Sequence, residues 1–308
     1  MLYATSLVPN LTIWFDQEQA MEKQKRRLAY LLIAPSAIWL LLFIGLPILN
    51  TFYTSFFRTS YKGERFVGFD NYTGLVDDKI FLLVLNNSII WTAAAVLMNI
   101  IFGLLIALLL SQSTIFSEIV RGTLILAWAT PLVVAGIVWK WMYNAEYGQL
   151  NSLLYSLHLI DEPVQWLTNA RSAFIGALIA RFWTAFPFTT FAFLSGLQSI
   201  PTDLYEAAIV DGATGWQRFW RITLPMLRPV TLAVLLISVI WSFNSFAFIY
   251  VITGGGPANK TQIMVTEIFR RGFGYFNFGE ASTLAVVSFF FLLIISIIQW
   301  KLFYQEEI

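Results

Sequence analysis

Cysteine is absent from the 308 residues, histidine occurs once (His158), and only 12% of the chain is charged. Without cysteine there is no disulfide, no thiolate nucleophile and no cysteine-bound metal. A single histidine leaves no donor cluster for a transition-metal centre. Soluble domains carry about 25% charged residues. Half of that cannot clothe a water-facing surface, so part of the solvent is lipid. The net charge of +1 leaves no basic footprint for nucleic acid. The first 28 residues also lack the apolar core of a cleavable signal peptide. Lys23, Lys25, Arg26 and Arg27 stand directly before the first apolar run, as in an anchor that stays in the membrane.

Apolar residues make up 58% of the chain, with 28 Phe, 12 Trp and 12 Tyr. The mean hydropathy is +0.69. A membrane-spanning helix needs about 20 mostly apolar residues. Six stretches qualify: 29–50, 86–110, 123–143, 172–196, 229–252 and 281–303. Pro35, Pro47, Pro131, Pro187 and Pro229 lie in or beside them. Proline kinks a membrane helix and frees a carbonyl, which is tolerated where neighbours or a cavity satisfy it. The predicted fold is an all-α membrane protein of six helices, residues 29–308, after an N-terminal cytoplasmic or interfacial segment, residues 1–28. Loops 57–85, 144–171 and 253–280 are long enough for short interfacial helices, the second through an amphipathic stretch at 150–160. The basic cluster before the first run favours a cytoplasmic N-terminus, and six crossings then return the C-terminus to the same side. Arg58, Lys62, Arg65, Lys260, Arg270 and Arg271 in the opposite loops weaken that bias.

No Asp or Glu lies deep in any of the six stretches, which argues against ion-coupled secondary transport. Neither a carboxylate pair nor a His cluster stands ready for membrane-embedded enzyme chemistry.

The most informative segment lies between the fourth and fifth stretches, about 199–226. Glu206-Ala207-Ala208 is followed by three residues and Gly212, then by nine residues and Ile222-Thr223-Leu224-Pro225. Pro201 fits a first helical turn, and Asp203 and Glu206 suit a helix N-terminus. Gly212 fits a helix stop, Thr214 can cap a second helix, and Pro225 ends it. The expectation is two short helices with a tight bend, a peg suited to a groove on a partner.

This spacing resembles the coupling-loop signature of permease subunits in bacterial ABC importers. Phe66-Val67-Gly68-Phe69-Asp70-Asn71-Tyr72 and Thr253-Gly254-Gly255-Gly256-Pro257 extend the likeness to the maltose-type and glycerol-phosphate-type sugar permeases, in their first-subunit branch. The resemblance implies the type I ABC importer permease fold in a bacterial inner membrane, with N- and C-termini cytoplasmic. It implies a transport subunit, not an enzyme, that imports a sugar, oligosaccharide, polyol or related glycerol-phosphate compound. The implied partners are a second homologous permease subunit, two ATPase subunits and an extracytoplasmic solute-binding protein. Glu206 would pair with a basic residue of the ATPase, Ala207 and Ala208 would allow close packing, and Gly212 would make the bend. Ile222, Leu224 and Pro225 complete the signature. No G-x-x-x-x-G-K-[ST] occurs, so ATP and Mg would be bound by the ATPase chains.

Ser238, Trp241, Ser242 and Ser245 share one face of a helix by their spacing, with Asn244 off that stripe. An aromatic face with short hydroxyls suits a sugar, and a small-residue helix seam would show the same pattern. By resemblance this face lines a midplane sugar site, to which Thr184, Ala185 and Phe188 also belong. Leu132 stands there where the maltose-type protein has a hydroxyl, which points to a different ligand. Arg181 is the one charge well inside a stretch. It meets an anionic or hydroxyl-rich substrate, or snorkels or gates.

Overall fold

The computed structural model describes residues 11–60, 63–112 and 114–304. The start of the predicted 1–28 segment and the last four residues of the chain therefore lie outside the described residues. The chain divides into two compact units between Thr54 and Ser55.

The described part of the first unit, residues 11–54, is one helical rod. Helix Leu11–Leu40 passes through a π-helical turn, Leu41–Gly45, into helix Leu46–Thr54, with Pro35 inside it. Helix therefore runs unbroken across residue 28. Its apolar part, Met21–Thr54, is long enough to cross a bilayer, and Leu31, Leu32 and Phe43 stand exposed, as a lipid-facing helix requires.

In the second unit four more helices are long and apolar enough to cross: Lys79–Leu110, Ala170–Gln198, Arg228–Thr253 and Phe278–Leu302, hereafter the second, fourth, fifth and sixth spans. The remaining predicted stretch, 123–143, is not one straight helix. Helices Ile115–Ala129 and Leu132–Met142 meet at 100°. Thr130 and Pro131 between them are both extended, with ψ of 126° and 131°. Pro131 disfavours the helical region at the residue before it, and here the helix stops there.

The second and fourth spans pack closest, through small residues. A Cβ on Gly103 would lie 2.6 Å from the Thr189 methyl, so only glycine lets the two backbones approach. Beside this seam Trp91, Ala95, Ala177, Ala180, Phe248 and Ile249 form one buried cluster. Ala107, Phe193, Leu194 and Leu227 form a second. Val84, Phe243, Met264 and Leu284 form a third.

Two motifs noted in the sequence prove to be anchors. Strands Phe57–Ser60 and Gly63–Phe66 pair antiparallel, a hairpin that the all-helical expectation did not include. Asn71 of the F-x-G-x-x-N-Y stretch donates to the Ser55 and Phe57 carbonyls, both at 2.9 Å. Tyr72 and Ser55 share a hydroxyl–hydroxyl bond of 2.6 Å. The T-x-G-G-P stretch turns at Gly254 and Gly255, with φ of 61° and 82°, a region that glycine reaches without strain. Asn87 of the second span holds the far end of this loop by donating to the Lys260 and Gln262 carbonyls, both at 2.9 Å. As expected, the loops hold short helices, Asp70–Val76, Gln149–Ser156 and Met264–Phe269 among them.

Candidate functional site

The fifth span is not helical throughout. Helix Arg228–Phe243 stops at Asn244 (φ −91°, ψ 22°), and Ser245 (ψ 61°) leads into a new turn, Phe246–Phe248. This break opens a cavity of about 480 Å³ inside the second unit, within the size range of small-ligand sites.

Arg181, Thr184 and Ala185 line the cavity from the fourth span, and Trp241 and Ser245 from the fifth. Phe188 sits behind the wall, its ring 4.9 Å from that of Trp241 and 6.4 Å from that of Trp128. Ser238 and Ser242, placed with Trp241 and Ser245 by helical spacing, are buried but do not line it. The Ser242 carbonyl instead accepts from Trp91 Nε1 at 3.1 Å. Asn244, expected off the stripe, is at the wall. The 3.6-residue period ends with the helix, which brings Asn244 to the wall, whereas Ser238 and Ser242 lie within the helix and are buried in its packing.

Trp128, Leu132, Phe246, Ala247 and Phe248 complete the lining. The first two arrive because the bend at Thr130–Pro131 delivers the end of one helix and the start of the next to the same place. Of these only Leu132 was singled out in the sequence. Trp128 has a signal there, a Trp three residues before a mid-span proline.

Arg181 is 7% exposed. Its Nε donates to Ser245 Oγ at 2.8 Å, which ties the fourth span to the break in the fifth. None of the ion pairs among the described residues involves it.

The peg between the fourth and fifth spans has the predicted plan. Helix Thr202–Val210 starts with Pro201 as its N-cap, one position before the first turn where the sequence placed it. At its C-terminus Ala213 N–H donates to the Ala208 carbonyl (2.8 Å) and Gly212 N–H to that of Ile209 (3.0 Å). This pair is a Schellman closure, with Gly212 at φ 76°. Thr214 and Gln217 cap helix Gly215–Arg218 reciprocally. The chain continues through a π-helical turn, Phe219–Thr223, and helix Leu224–Met226. Pro225 therefore does not end the second helix. The wide turn before it, where Leu224 N–H reaches the Phe219 carbonyl, absorbs the missing donor. Tyr205 and Thr223 join the two arms by a hydroxyl–hydroxyl bond of 2.9 Å. Glu206, Ala207, Gly212 and Pro225 are exposed, and Ala208, Ile222 and Leu224 are half-buried. Val210 is 87% exposed and Trp216 71%, an uncovered apolar tip.

At the opposite end of the bundle a charge cluster that sequence reading missed binds three elements. Arg271 donates from Nε to Glu267 (2.8 Å), from Nη1 to Glu280 (3.0 Å) and from Nη2 to Asp78. Its only local signal was the i, i+4 spacing of Glu267 and Arg271. Burial acts to raise the Asp78 carboxyl. The hydrogen bond and charge of Arg271 and the Phe81 and Ile80 N–H groups outweigh it and hold Asp78 below its ordinary 3.8. A carboxylate depressed in the folded state contributes stability that is complete above the ordinary value and lost as pH falls through the lowered one. Acidification below about pH 4 should therefore lower the melting temperature. Asp78→Asn should melt lower at neutral pH and lose that acid-dependent part, as light scattering of the purified protein across pH would show.

Residues 99–304 match the family described as "Binding-protein-dependent transport system inner membrane component". The chain is 35% identical to the trehalose/maltose transport system permease protein of Thermococcus litoralis, over 91% of this chain and 95% of that one. It is 36% identical to the sulfoquinovosyl glycerol transport system permease protein of Agrobacterium fabrum, over 92% of this chain and 90% of that one. In structure it is similar to a chain of a bacterial ABC transporter involved in the import of the acidic polysaccharide alginate, with a TM-score of 0.81, 22% identity, and 92% and 98% of the two chains covered.

Proposed function

Because the chain belongs to the family of binding-protein-dependent transport system inner membrane components, a family of transport subunits and not of enzymes, we propose that it is the permease of an ATP-driven carbohydrate importer, with its substrate path at the Arg181–Trp241 cavity. The fold is that of type I ABC importer permeases. The family acts with ATPase subunits and a binding protein. The finer reading adds a second homologous permease subunit and two ATPase chains that hold ATP and Mg. Both termini are then cytoplasmic, on the side of the peg.

The observation that carries this reading is the peg, Thr202 to Met226. It is internally tied, capped at each turn, and leaves Val210 and Trp216 uncovered. Apolar surface of this kind on a rigid element marks an interaction site. Closure of the ATPases on ATP would move the peg and with it the fourth and fifth spans that flank it. ATP shifts the equilibrium by as much as its affinity differs between the two states. Carbohydrate as cargo is supported by the Trp128 and Trp241 rings beside Thr184, Asn244 and Ser245, and by relatives whose names carry trehalose, maltose and sulfoquinovosyl glycerol.

Purification from native membranes in a gentle detergent should bring down a second multi-spanning chain and an ATPase. Glu206→Arg reverses the charge offered to the ATPase. It should weaken that association by about 10²-fold, the scale for truncating one partner of a charge pair, and retain the second permease. A chain that purifies alone under every salt and detergent condition contradicts the importer reading.

A further inference from the structure

The cavity holds a cation with no counter-ion among the described residues. Arg181 is 7% exposed, so water does not solvate it freely. It stands twelfth in a 29-residue span, about 17 Å along a helix that rises 1.5 Å per residue, and thus well within the hydrocarbon layer. Its side chain makes one hydrogen bond among the described residues, from Nε to Ser245, and no Asp or Glu lines the cavity. Nη1 and Nη2 are left for whatever enters. A buried charge is retained only where something pairs with it.

A second feature of the same wall has the same sign. Helix Leu132–Met142 begins at the cavity with Leu132, and Pro131 before it provides no side-chain cap. The first N–H groups of a helix have no intrahelical acceptor, and the helix dipole makes this end attractive to anions. Arg181 and Leu132, the first residue of this helix, therefore line one cavity from two elements, beside the Trp128 and Trp241 rings.

Resting on the carbohydrate-import reading, we infer that the substrate is an anionic glycoside, a sugar with a carboxylate, sulfonate or phosphate that docks on Arg181 and the start of the Leu132 helix. A guanidinium presents two parallel donors that match such an oxyanion. The aromatic rings cover the apolar face of the sugar, and Thr184, Asn244 and Ser245 serve its hydroxyls.

The test uses the whole transporter, with its partner chains and binding protein, in proteoliposomes. Uptake is measured by mass spectrometry for matched sets: a neutral glycoside, its uronate, its 6-sulfonate and its 6-phosphate. The expected result is entry of at least one anionic member, with its neutral counterpart at least tenfold slower. Arg181→Gln should then cut anionic uptake about 10²-fold, the scale for unpairing one partner of a buried charge pair, and narrow the gap to the neutral sugar. Arg181→Lys should restore part of it. Assembly on gel filtration confirms that each variant is folded. Neutral glycosides that enter as fast as anionic ones overturn this inference and leave carbohydrate import standing. So does an Arg181→Gln variant that loses only its association with the second permease, since the missing counter-ion is then a carboxylate of that partner. Entry of no member of any set overturns the carbohydrate reading itself.

Discussion

Arg271→Met is expected to destabilise the folded chain by about 3–5 kcal/mol, the cost of breaking a buried ion pair from one side. The side chain of Arg271 is 8% exposed and that of Glu267 is 1% exposed. Removing the guanidinium leaves Asp78, Glu267 and Glu280 around an empty centre, with Arg270 reaching only Glu267, at 2.7 Å. The cluster joins three parts of the chain: Asp78 caps the second span through the Ile80 and Phe81 N–H groups, Glu267 lies on Met264–Phe269, and Glu280 opens the sixth span. One substitution therefore loosens a helix cap, a loop and a span together. A fall of about 10 °C in melting temperature should follow for a domain of this size. Arg271→Lys should recover only part, because an ammonium cannot present the three-way planar fork. The double variant Arg271→Met, Glu267→Leu should melt above the single one, since it removes the most deeply buried stranded carboxylate along with its partner. A single variant within about 2 °C of the parent would show that the cluster is not a lock.

The contrast between this cluster and the peg explains what could be read before the fold was known. Thr214 with Gln217, and Gly212 after Asp211, act over a few residues, so their chemistry is written locally and the two-armed plan was legible. The spans were legible for the same reason, as unbroken apolar runs. Asp78 and Arg271 meet across 193 positions, and nothing at either end announces the other. Proline shows an intermediate case. Pro187 stays inside the fourth span and Pro131 ends a helix at a 100° bend, although both looked like mid-span kinks. No local pattern separates them. The cavity inherits this ambiguity. Arg181, Trp241 and Ser245 stood out because lipid makes polar and aromatic residues conspicuous, whereas Thr184 and Ala185 came only from the resemblance to the maltose-type permeases. Ser238 and Ser242 were grouped with Trp241 because helical spacing alone does not say which side of a shared stripe faces a cavity and which is packed.

Gly212→Val should separate transport from stability. The residue sits at φ 76° with nothing within 4 Å of where a Cβ would be. The penalty is thus one of backbone conformation, about 1–2 kcal/mol for an ordinary side chain in the left-handed region and more for a β-branched one. The least costly relief is to break the bonds from Gly212 and Ala213 back to Ile209 and Ala208, which reopens the angle between the two arms. Tyr205 and Thr223 then no longer meet, and Glu206 and Trp216 no longer present one surface. ATP-driven uptake in proteoliposomes should fall at least tenfold (about 1.4 kcal/mol or more of lost coupling). The melting temperature should barely move, since the buried seam of the second and fourth spans is untouched. A graded series strengthens the case. Asn tolerates the left-handed region better than other residues, so Gly212→Asn should transport best, Gly212→Ala less and Gly212→Val least. That order follows backbone tolerance and not side-chain size, since Asn is bulkier than Ala. Equal transport by all three would mean that the bend is not what the ATPase grips. Transport that fell with side-chain volume would mean that the partner packs directly on Gly212, and that the tip of the peg is a contact and not a hinge.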